Sequence, residues 1–96
     1  MRAKYRALDR RVREVEKVVD RCIEQHGRHL SNSIVASLRA RSVRYAEGML
    51  CLMSVEELSS RTPEHTMLRE RVVAEIYDHT VSSIGNAVPP ASALVN

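Results

Sequence analysis

Cys22 and Cys51 carry the most reactive side chains in this sequence, and a redox role would require the two sulfurs to meet. If the segments around them form a helical hairpin turning near residues 27–33, Cys51 lies roughly 20 Å farther from the turn than Cys22, at 1.5 Å of rise per residue. A disulfide needs Cα atoms within about 7 Å. Both cysteines are therefore read as small core or interface residues.

Zinc binding needs three or four convergent ligands, and the four histidines are poorly spaced for it. His26 and His29 flank Gly27, His65 and His79 stand apart, and neither Cys-x-x-Cys nor His-x-x-x-His occurs. The Glu-x-x-His spacing of di-iron bundles is absent too. His26 and His29 are better placed to interact with the C-terminal end of a first helix, and Glu75 and His79, four apart, read as a surface pair. No nucleophile, base and orienting group suggest themselves as a catalytic set. The three glycines are isolated, so no phosphate-cradling loop is present. The expectation is a non-enzymatic protein with no metal and no cofactor.

The remaining chemistry is charge. Arg2, Lys4, Arg6, Arg10, Arg11 and Arg13 crowd the first thirteen residues against one acid, Asp9. Residues 1–28 hold nine Lys/Arg and five acids, whereas residues 54–96 hold three and six, so a net charge of +3 conceals a polarised chain. Arg6, Arg10, Arg13 and Lys17 are the candidate contacts to nucleic acid or to an acidic protein surface. Only Tyr5 among them could stack on a base, which counts against single-stranded recognition.

The elements that would position these groups are helical. From about Ala3 to His26 there is neither Gly nor Pro, and Tyr5, Leu8, Val12, Val15, Val19 and Cys22 recur at spacings of 3, 4, 3, 4 and 3. That is a heptad ridge with Lys4 and Arg11 on one flank and Asp9 and Glu16 on the other. In a parallel, in-register pair these flanks attract; in an antiparallel self-pair they bring like charges together. Farther along, Val18 and Ile23 widen the stripe, so the second half of the helix should meet two neighbours.

Gly27 is the expected stop of this helix. Ser31 or Ser33 can cap a second, running to about Met53, whose seam is Val35, Leu38, Ser42, Tyr45, Met49 and Leu52, with Ala36, Ala40, Val43 and Leu50 on its other side. Gly48 inside it suggests close packing or a bend. Ser54-Val55-Glu56-Glu57 has the form of a capping box starting a short turn that ends around Ser60. Thr62-Pro63 starts a third long helix, with Leu68, Val72, Val73, Ile76, Tyr77, Val81 and Ile84 as its stripe and Gly85-Asn86 as its end. Read instead as helix-turn-helix, residues 54–73 would put Glu64, Glu70 and Glu75 toward phosphate.

The predicted fold is all-α: a three-helix bundle in residues 1–84, formed by a helical hairpin and a third helix across it, with residues 85–96 as a mobile C-terminal tail. Phe and Trp are absent and Tyr occurs three times, so Val, Leu, Ile, Met and Ala must supply the core. A chain of 96 residues leaves much apolar surface uncovered. A homodimer with coiled-coil-like packing of the first helix is therefore expected, with Leu8, Val12, Val15, Val19 and Cys22 at the dimer or partner interface. The longest apolar run, Met49 to Met53, cannot cross a bilayer. No apolar signal region follows the first basic residues, and two cysteines make no disulfide framework. A cytoplasmic protein is expected, a small interaction module docking on a larger protein partner, with nucleic acid as the alternative partner.

Overall fold

Helix-favouring sequence punctuated by well-formed caps sets the architecture. The computed structural model describes residues 2–87, which form α1 (Arg2–His26), α2 (Asn32–Cys51), α3 (Val55–Ser59) and α4 (Pro63–Ala87). The described residues are all-helical, with no strand among them.

Each junction has a local cause. Gly27 closes α1 through its N–H to the Ile23 carbonyl at 2.7 Å. A Cβ there would stand 3.0 Å from that same carbonyl oxygen and 3.3 Å from a Leu30 methyl, so a larger residue would push the tight turn open. Ser31 caps α2, its hydroxyl accepting from the Ile34 N–H at 3.4 Å. The second helix stops at Cys51, two residues before the predicted Met53, because the Leu52 and Met53 N–H groups bond to the Met49 and Leu50 carbonyls in a tighter final turn.

The expected short turn after Ser54 is a helix of its own, which makes four helices instead of three. Its capping box is complete: Ser54 Oγ accepts from the Glu57 N–H at 3.1 Å and Glu57 Oε1 accepts from the Ser54 N–H at 2.8 Å. Hydrogen bonding from the Ser54 backbone, then from its hydroxyl, holds the Glu57 carboxyl below its ordinary range. Thr62 then caps α4 as predicted, its hydroxyl accepting from the His65 N–H and its carbonyl from the Thr66 N–H. The last helix runs through Gly85 and Asn86 to Ala87 instead of ending at Ile84. Ala87 packs against the core, and helix formation there overrides the poor propensity of glycine. The rest of the predicted tail, residues 88–96, lies outside the described residues.

The first two long helices are antiparallel, with Lys4 reaching the Cys51 carbonyl at 3.3 Å at one end and Arg39 reaching Asp20 at 2.6 Å farther along. The fourth helix packs against both and runs in the direction of α1: Arg69, in its first turns, reaches the Glu57 carbonyl beside Arg11, and Tyr77 lies against Cys22, Gln25 and His26. The short α3 sits on α1 and α4 where they begin, held by Arg11 Nε donating to the Leu58 carbonyl at 2.6 Å and by Arg69 donating to Glu57 at 2.7 Å.

The core joins Val15, Val19, Cys22 and Ile23 of α1 to Leu38, Ala46 and Leu50 of α2, Leu58 of α3, and Val72, Ile76 and Ile84 of α4. Small residues fill its tightest points. Cys22, Ser42, Ala46 and Thr80 are fully buried, and their size lets α1, α2 and α4 approach closely. Thr80 satisfies its hydroxyl on the Ile76 carbonyl at 2.8 Å, whereas Ser42 Oγ has no partner. Gly48 has no packing role: it is exposed, and a methyl group placed there meets nothing within 4 Å.

Two substitutions test this arrangement. Ile76→Ala should lower unfolding free energy by about 2–5 kcal/mol, since it opens a cavity where three helices meet. Gly48→Ala should raise it by about 1 kcal/mol, because helix propensity improves without a clash. Urea denaturation followed by circular dichroism measures both.

Candidate interaction surfaces

The helical ridge expected to need a second chain is largely covered by this one. Val15, Val19 and Cys22 are buried by α2 and α4, and Leu8 and Val12 are half-buried. Heptad spacing registers that a helix side is apolar; it does not register whose side chains cover it. Their assignment to an intermolecular interface is corrected accordingly for Val15, Val19 and Cys22, which belong to the intrachain core. The part left open is the first half of the ridge.

The candidate cations behave differently. Arg6, Arg10, Arg13 and Lys17 are all exposed, and their spacing of 4, 3 and 4 puts them in one line on the α1 side facing away from Val15 and Val19. Arg21, four residues beyond Lys17, extends the line; that spacing was visible in the sequence but was overlooked. From Arg6 to Arg21 the line covers about 22 Å at 1.5 Å per residue. Two of its acidic neighbours are engaged, Asp9 with Arg13 at 3.3 Å and Glu14 with Arg11 at 3.0 Å, while Glu24, three residues beyond Arg21, has no cation partner among the described residues. Arg6, Arg10, Lys17 and Arg21 have no carboxylate partner among the described residues.

Other arginines serve the fold. Arg39 bridges α2 to Asp20 and Glu16 of α1, and its hydrogen bond to Asp20 chiefly raises its pKa, keeping it charged. Arg69 is pushed the other way, first by desolvation and then by the nearby Arg11 guanidinium. Neither role is visible in spacing, because each depends on how two helices come together.

The first half of α1 and the last turns of α2 enclose a groove of about 360 Å³ lined by these two helices alone. Leu8 and Val12 form its floor, and Tyr5, Asp9, Glu47 and Cys51 its walls. Tyr5 is 77% exposed, unusual for a ring on a core-forming ridge. The groove brings together residues 35 to 46 positions apart, so no local motif announces it.

The histidines are used structurally. The Tyr77 hydroxyl donates to Gln25 Oε1 at 3.3 Å, leaving its lone pairs for the His26 Nε2–H at 2.8 Å, and this network fastens the end of α1 to α4. His79 does not pair with Glu75 as expected. Its ring stacks on Tyr45 with centroids 4.0 Å apart and planes inclined by 10°. Among the described residues no group of three or more His, Cys, Asp or Glu side chains could hold a metal ion. No helix is long and apolar enough to cross a membrane among the residues described.

Both cysteines are free thiols, Cys22 buried and Cys51 exposed. They lie near opposite ends of α1, since Cys51 sits by Lys4 while Cys22 contacts the Tyr77 carbonyl. Compared with known proteins, this chain matches no family model, no curated protein and no solved structure.

Desolvation raises the Cys22 pKa and so disfavours its reactive thiolate. A native-state thiol titration with a disulfide reagent should modify Cys51 promptly and Cys22 only on unfolding. Equal rates for the two would contradict the packing of α1 against α4.

Proposed function

We propose that this protein is a small non-enzymatic interaction module, and that the outward face of α1 docks on the phosphate backbone of double-stranded nucleic acid. The observation that carries this reading is the line of exposed cations, Arg6, Arg10, Arg13, Lys17 and Arg21, with four of the five free of carboxylate partners among the described residues. Neutralising successive phosphates releases their condensed counterions, and a straight row of guanidinium and ammonium groups suits that task.

The composition of the line supports a polyanion over a protein partner. Protein interfaces centre on buried aromatic or aliphatic anchors, and none interrupts these cations. It also supports a duplex over a single strand, because no ring stands in the line for bases to stack on. Contacts from these cations to phosphate would position the module on the duplex and carry no sequence information of themselves. The acidic residues of α4 argue against the helix-turn-helix reading, in which that helix would face the phosphates.

Fluorescence anisotropy with labelled duplex DNA and duplex RNA tests the proposal. Affinity should fall linearly on a log–log plot against salt, with a slope of about 0.9 per phosphate neutralised on B-form DNA. The double variant R10E/K17E should lose at least tenfold in affinity while its melting temperature is unchanged. Polyglutamate serves as the control for an acidic protein surface. Equal binding of polyglutamate and duplex, or no duplex binding at low salt, would defeat the nucleic-acid reading.

A further inference from the structure

The groove between α1 and α2 is chemically distinct from the cationic line and calls for a different occupant. Its floor is apolar, Tyr5 stands beside it largely in water, and its rim carries both signs of charge. Lys4 reaches the Cys51 carbonyl and so marks one end, while Glu47, one helical turn earlier in α2, marks a point about 6 Å along. Lys4 and Glu47 are both exposed, and neither has an ion-pair partner among the described residues.

We propose that this groove is a self-association face, filled by the same groove of a second copy in an antiparallel, two-fold dimer. A two-fold contact brings one patch against itself, so the patch must complement its own inverted image. This one does. With the axis perpendicular to the helices and passing midway between Lys4 and Glu47, near the level of Arg6, the Lys4 end of one copy lies level with the Glu47 end of the other, and the pair forms twice. Tyr5 of each copy then lies level with the Leu8 part of its mate's floor, removing from water the most exposed ring on the ridge.

Charge decides against other occupants. A uniformly basic segment would suit Asp9 and Glu47 but repel Lys4, and an acidic segment would do the reverse. A second copy supplies both signs in the required order.

Sedimentation equilibrium of the wild-type chain over a wide concentration range should give a monomer–dimer equilibrium. Lys4→Glu and Glu47→Lys should each weaken the dimer on the order of tenfold, since each converts two exposed attractive pairs into two repulsive ones. The double variant K4E/E47K restores both pairs with reversed polarity and should recover wild-type affinity to within about twofold. Tyr5→Ala should leave a monomer whose helical circular dichroism is unchanged. A wild-type chain that stays monomeric at its solubility limit would overturn the proposal. So would a dimer indifferent to both single charge changes, or one that the double variant fails to recover.

Discussion

The apolar side of α1 is the constraint on which the other elements depend. Val15, Val19 and Cys22 are reached by α2 from one side and α4 from the other, and the short α3 sits where α1 and α4 begin. Because two long neighbours and one short helix converge on a single face, the opposite face of α1 has no packing duty. Arginines can then accumulate there without desolvation. The segregation of cations on α1 is thus a consequence of where the core lies, and the same packing leaves the first turns of the helix less covered than its middle.

The small residues at the centre determine how tightly this arrangement closes. Cys22, Ser42, Ala46 and Thr80 are fully buried, whereas Tyr5 and Tyr45 stay at the margins. A core without Phe or Trp gains less from each side chain, and close backbone approach compensates by increasing dispersion contacts. Ser42 shows the cost of such closeness: a hydroxyl compact enough for the space is left without a partner. Thr80, one helix away, avoids that cost by bonding to its own backbone.

Much of the architecture was legible because its signals are local. Ser31, Ser54 and Thr62 cap the helices that follow them, and Gly27 ends α1, since caps depend on a few adjacent residues. Arg6, Arg10, Arg13 and Lys17 share an exposed face because helical spacing dictates it. What escaped the sequence was relational. Gly48 looked like a packing site but faces open space, and Gly85 did not stop α4. Arg11 resembled a flank residue of a coiled coil, yet it holds the Leu58 carbonyl of α3. Periodicity marks the ridge, but Val15, Val19 and Cys22 on it are covered by the same chain, because periodicity alone cannot distinguish neighbours in the same chain from those in another.

The two surfaces lie on the same helix without sharing side chains, and this bears on how they would act together. The line Arg6 to Arg21 faces away from the core, whereas Tyr5, Leu8 and Val12 line the flank toward α2. A second copy seated on that flank would therefore leave the cations open and double their number in one particle. Two weak electrostatic contacts joined rigidly bind a common polyanion more tightly than either does alone, because the second forms at the effective concentration set by the first. If both proposals hold, the flank contact would serve the outer face, since a charge of +3 per chain would be doubled in one particle. The gain depends on rigidity, and α1 supplies it, since one continuous helix carries the cations and half of the contact.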